Sequence, residues 1–131
     1  MWPHFTVFAQ DEHPEDYTMH LDLNVLRGFI GDNKVTRERI FLKFADFINH
    51  TRGTVVDAVN DGTLDVVRSA CHALKSSSRS VGAVELGQLS EQLEAIGAGR
   101  TPSPIEPVLE SFLAECSAVD GELKEKTDGS G

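Results

Sequence analysis

Between Asp22 and Leu123, apolar side chains recur at intervals of three and four, in stretches separated by glycine, proline and Asp-Gly signals, with no strand-like alternation. That spacing restricts the chain to amphipathic helices that must bury one stripe each. The last stretch is the most regular: Ile105, Val108, Leu109, Phe112, Leu113, Cys116, Val119 and Leu123 fall on one helical face. Ser103 as cap, Pro104 as first helical residue and Glu106 as capping-box partner predict its start. Before it, Leu86, Leu89, Leu93 and Ile96 form a stripe ending near Gly97, with Glu85, Glu91 and Glu94 off the face. A long helix carries Ile40, Phe41, Phe44, Phe47, Ile48, Thr51, Val55, Ala58 and Val59, capped by Asp32 or Asn33 and closed by the Asn60-Asp61-Gly62 turn. Gly53 inside it implies a close helix contact or a bend. Asp22 caps a short helix over Leu23, Val25, Leu26, Phe29 and Ile30, which Gly31 ends. The chain therefore reads as all-α: an antiparallel four-helix bundle with a short additional N-terminal helix.

The remaining stretch, after a Thr63 or Asp61 cap, places Val67, Ala70, Cys71, Leu74, Ser78 and Val81 on the buried stripe. His72 is off it, pointing about 150° from the stripe's centre at roughly 100° per residue. Lys75, Ser76 and Arg79 follow at i+3, i+4 and i+7 and are expected on the same outward face. Ser69, Ala73 and Ser76 are small, so the imidazole stands clear of its neighbours. Residues 64–82 carry Arg68, Lys75 and Arg79 against Asp65 alone, a local charge of +2 in a chain of net charge −9. A neutral imidazole nitrogen is a good nucleophile near neutral pH and forms covalent intermediates. Lys75, one turn on, is placed to offset the charge of a phosphoryl group on it.

Composition narrows the partners. With 131 residues, there is room for one domain with tails, and the acidic balance argues against nucleic acid and against an anionic membrane surface. Cys71 and Cys116 lie on apolar stripes, as small buried hydrophobes do, which fits a reducing, cytoplasmic setting. No stretch approaches the ~18 apolar residues of a membrane span. Residues 1–20 hold Trp2, Phe5, Val7 and Phe8 and an acidic run, without periodicity, and read as a leader or interdomain linker. Their His4, His13 and His20 have no metal-ligand spacing and read as incidental surface histidines, and His50 as structural or exposed. Residues 126–131 read as a disordered tail. The inward stripes are apolar, which argues against a metal site in the bundle.

The run His72-Ala73-Leu74-Lys75-Ser76-Ser77-Ser78-Arg79-Ser80-Val81-Gly82-Ala83, continuing to Leu86, closely resembles the signature of histidine-containing phosphotransfer (HPt) domains. That signature is H-x-L-K-G-S-S/A, then a hydrophobic residue, Gly and Ala, and the resemblance covers roughly residues 21–125. It implies that His72 is the phosphoacceptor, Lys75 supports the phosphoimidazole and Gly82 closes the histidine-bearing helix. The departure is Ser76, where the family usually has Gly; its smallness lets a partner pass close over this turn. The implied partners are response-regulator receiver domains, with a sensor histidine kinase as a second candidate, docking on the face of Arg68, Ser69, Ser76 and Arg79. Any Mg²⁺ would belong to the receiver, and no cofactor is expected on this chain. The chain has no Gly-rich phosphate loop, so it reads as a monomeric phosphoryl carrier and not as an autokinase. It would sit in the cytoplasm, free or as the end of a membrane-bound hybrid kinase. The alternative is a helical docking module for receivers or kinases that takes no phosphate.

Overall fold

The computed structural model describes residues 20–31 and 33–128. Residues 1–19, Asp32 and residues 129–131 lie outside the described residues, as do the side chains of Phe29 and Asp128, so the readings made for the leader, His4, His13, Asp32 and Phe29 have no counterpart here. Five helices make up the described chain: α1 Leu23–Ile30, α2 Lys34–Asp61, α3 Leu64–Val81, α4 Val84–Gly97 and α5 Ile105–Asp128. The four long ones form a closed ring, α2 packing on α3 and α5, and α4 on α3 and α5, while α1 lies on α2 and α3. The all-α bundle expected from the stripes is the observed fold.

The predicted stripes are the core. Phe41, Phe44, Ile48 and Val55 of α2 meet Val67, Cys71 and Leu74 of α3, Leu86 and Leu93 of α4, and Phe112, Cys116, Val119 and Leu123 of α5, all buried. Burial pushes both thiols up to about 12, so neither is a nucleophile at neutral pH. Gly53 meets no atom within 4 Å of a Cβ built on it, so it marks no close helix contact.

Helix ends show where local signals yield to context. Asp22 and Asn33 cap α1 and α2 by accepting from the backbone N–H of Asn24 and Thr36. Thr63 occupies the cap position of α3 but turns its hydroxyl back to donate to the Ala58 carbonyl, so it provides no side-chain cap. Helix α5 starts at Ile105, one residue later than the capping box predicts, with the Ser103 hydroxyl paired to Thr101 instead. At its other end α5 runs on to Asp128, two residues beyond Lys126, where a disordered tail was expected. Thr127 donates its hydroxyl to the Leu123 carbonyl and so extends the last turn.

The seam between α3 and α4 positions the exposed site. Gly87 lies against Ser78 and Arg79, and Gly97 against the backbone of Leu64 and Arg68, so the two helices run antiparallel and nearly touch. A Cβ on Gly97 would come within 2.9 Å of the Arg68 nitrogen. This close approach brings a carboxylate of α4 under the side chains of α3.

Gly82 ends α3 with φ of +84°, the left-handed conformation that glycine adopts without a Cβ penalty. It is required for a second reason: the Asp22 backbone crosses directly over it. The Asp22 N–H donates to the Gly82 carbonyl at 2.9 Å, and a Cβ at Gly82 would overlap the Asp22 carbonyl oxygen.

Candidate phosphoacceptor site on the third helix

His72 faces out from the middle of α3, its side chain 63% exposed, as the phase of the stripe requires. Its Nδ1 lies 2.7 Å from Oε2 of Glu94 on α4. An ionised carboxylate only accepts, so Nδ1 carries the proton and donates it. The lone pair of the neutral ring is then on Nε2, at the edge directed away from Glu94.

Glu94 is the residue that the sequence reading misplaced. Counted along α4 alone it falls off the apolar stripe, yet its side chain is only 9% exposed, because the close seam folds it beneath α3. Lys75 reaches the same carboxylate, Nζ to Oε1 at 2.7 Å, and is itself only 17% exposed. Lys75 therefore lies along the seam and not on the open face. Its ammonium is the main reason the Glu94 carboxyl is held below its ordinary 4.5; burial pushes the other way and the bond to His72 adds to the lowering. The three side chains form one unit: a cation holds a carboxylate ionised, and the carboxylate holds one tautomer of an exposed imidazole.

The other expected face residues divide. Arg68, Ser69 and Ser76 are exposed around His72. Arg79 is exposed as well, but its guanidinium donates to Glu91 of α4 at 2.8 Å. The basic character inferred from α3 is thus largely offset by Glu91 and Glu94 of α4. On the opposite flank of His72, between α2 and α3, Phe47, His50, Thr51, Thr54, Ala70 and Ala73 line a shallow groove. It continues along the seam past Phe47 to Ile40, Phe44, Ser77 and Val81. The imidazole stands between a charged edge and an apolar one.

Among the described residues, no group of three or more His, Cys, Asp or Glu is placed to hold a metal ion. No described helix is long and apolar enough to cross a membrane. His20 is a further correction: it is no incidental surface group, since its Nδ1 lies 2.7 Å from Glu115 of α5 and its backbone N–H donates to Glu122.

The described residues thus form a helical bundle that presents His72 exposed on α3, its ring tautomer fixed by a carboxylate of the neighbouring helix. The family model for the Hpt domain matches residues 39–125, and the chain belongs to that family. Comparison with curated proteins gave no match. Among solved structures, the chain is similar to histidine-containing phosphotransfer protein B (HptB) from Pseudomonas aeruginosa PAO1, with a TM-score of 0.77 and 20% identity over 86% of this chain and 97% of that one. At that identity the likeness establishes the shared bundle.

Proposed function

We propose that this protein is a phosphorelay intermediate that carries a phosphoryl group on Nε2 of His72. The observation that carries the reading is the 2.7 Å bond from Nδ1 to Glu94, which leaves the nucleophilic nitrogen on the exposed edge of the ring. A receiver domain phosphorylated on aspartate docks over α3. The Nε2 lone pair forms a bond to phosphorus as the bond from phosphorus to the aspartyl oxygen breaks, returning the donor's carboxylate. The ring gains positive charge as it is phosphorylated, and the Nδ1 proton, shared with Glu94, lets the carboxylate stabilise that charge. Onward transfer to a second receiver is the reverse. Catalysis by this chain is positioning and electrostatics.

Lys75 acts in this scheme chiefly through Glu94, keeping it ionised, and adds a positive charge beneath the phosphoryl group. The apolar groove of Phe47, Ala70 and Ala73 gives the receiver a surface to bury, with Arg68, Ser69, Ser76 and Arg79 around the point of transfer. Mg²⁺ belongs to the receiver's carboxylates. The protein is a carrier without autokinase activity, working in the cytoplasm as a monomer whose apolar stripes are spent in one core; a sensor histidine kinase is a second candidate partner.

The test is incubation with a phosphorylated receiver, followed by intact mass and acid lability of the adduct, with His72→Gln in parallel. One acid-labile, base-stable phosphate absent from the variant is the expected result. A variant that still takes up phosphate, or a wild-type chain that takes up none from any of several receivers, would overturn the reading, the latter in favour of a docking module.

A further inference from the structure

The polar groups that follow His72 on its own helix are not equally available. Lys75 is committed to Glu94 and Arg79 to Glu91. Ser76 is different. It is exposed one turn beyond His72, and its hydroxyl makes no hydrogen bond to any described residue. Ser77 and Ser78 are likewise without a side-chain bond, but the first is half-buried in the seam with α2 and the second fully buried, so neither faces the turn of His72. Ser80, four residues on, donates its hydroxyl to the Ser76 carbonyl at 3.1 Å, and Thr54 and Thr127 likewise donate to carbonyls of the preceding turn. Ser76 has the His72 carbonyl at the same i−4 position and does not use it.

Direction completes the argument. Side chains on a helix lean toward its N-terminal end, so the surface that Ser76 covers is the turn bearing His72. Arg68 and Ser69, one turn earlier, lean away from it. Residues at i and i+4 have Cβ atoms about 5–6 Å apart. The imidazole extends its far edge outward from this turn, and a phosphoryl group on Nε2 would carry its oxygens further still.

We propose that the Ser76 hydroxyl is a phosphoryl-binding group that donates to an oxygen of the phosphoryl group on His72 and prolongs the life of the phosphohistidine. This rests on His72 being the phosphoacceptor. The physical basis is the loose transition state of phosphoryl transfer, in which the departing group becomes metaphosphate-like. A hydrogen bond to the ground-state dianion is stronger than one to that less charged species, so it slows spontaneous loss to water. The usual glycine at this position offers no such donor. The serine thereby marks this chain for a longer-lived phosphorylated state while remaining small enough for a partner to pass.

The experiment loads the full-length protein with phosphoramidate, which needs no receiver, and follows the phosphohistidine by ³¹P NMR and intact mass for wild type, Ser76→Ala and Ser76→Thr. The expected result is hydrolysis about 3- to 10-fold faster in S76A, with threonine restoring the wild-type lifetime. The phosphoryl resonance should also titrate at higher pH in S76A, since removing a donor to the dianion raises its pKa. Equal lifetimes and equal phosphoryl titration in wild type and S76A would overturn the proposal while leaving the phosphoacceptor reading standing. Failure of the wild-type chain to accept phosphate from both phosphoramidate and receivers would overturn both.

Discussion

The imidazole of His72 and the carboxylate of Glu94 divide the work of a nucleophile between two helices, and each residue is testable alone. His72→Gln keeps an exposed side chain whose amide can still donate to Glu94, so its thermal unfolding midpoint should match wild type within about 2 °C while phosphate uptake is lost. Glu94→Gln keeps the shape but no longer guarantees the tautomer or neutralises the ring. A charge-assisted hydrogen bond contributes about 1.5–3 kcal/mol, which corresponds to a rate of uptake lower by about 10- to 150-fold. The same variant has a pH signature in stability. The Glu94 carboxyl is held below 4.5, chiefly by Lys75, so its ionised form is favoured in the folded state. That contribution is complete above 4.5 and is lost as pH falls through the lower folded value. Urea unfolding should therefore show wild type more stable than E94Q at pH 7 and the gap narrowing as pH falls below 4.5. A gap that is constant, or widens in acid, would mean that Glu94 is not held ionised by its partners.

At the level of the helix, the stripes alone specify the bundle, because a period of three and four with no alternation leaves no other way to bury Phe41, Leu74, Leu93 and Phe112. The outward phase of His72 follows from the same count. Glu94 does not, since whether a residue flanking a stripe is wet or buried depends on how near the next helix comes. Here that distance is set by Gly87 and Gly97, whose missing side chains let α4 settle onto α3. The glycines were visible, but their consequence was spatial: a helix read singly gives Lys75 to solvent and Glu94 to solvent, and only the seam joins them. His20 escaped for a similar reason, its carboxylate partners being 95 and 102 residues away. Two glycine substitutions separate crowding from flexibility. Gly53→Ala, with open space around its Cβ on α2, should stabilise the protein by about 0.5–1 kcal/mol. Gly97→Ala should instead destabilise it and slow phosphate uptake, because a Cβ against the Arg68 backbone pushes α4, and Glu94 with it, away from His72. If Gly97→Ala left both properties unchanged, the seam would not be what positions the carboxylate.

For the molecule as a whole, the part matched by the family model is not the part that closes the core. The match begins at residue 39, inside α2. Yet Leu21, Leu23 and Leu26, in and before α1, are among the most buried side chains of the protein. Backbone pairing of Asp22 with Gly82 fastens this segment to the end of the histidine-bearing helix, and His20 fastens it to Glu115 of α5. Burying one leucine contributes about 1.5–3 kcal/mol, and a domain of this size has a total stability of only about 5–15 kcal/mol. Three leucines are therefore a large fraction of the whole, and their loss would also bare the apolar surfaces of α2 and α3 beneath them. A chain beginning at Asn33, which keeps the cap of α2, all four long helices and the entire His72 site, should lose most of its cooperative urea transition while retaining helical circular dichroism. His72 lies ten residues before Gly82, about 15 Å along the helix, so this truncation touches no group of the site. Any loss of phosphate uptake must then follow the loss of folding. A truncated chain that unfolds at the same urea concentration and with the same slope as the full protein would show α1 to be an appendage, and its leucines to be buried without supporting the bundle.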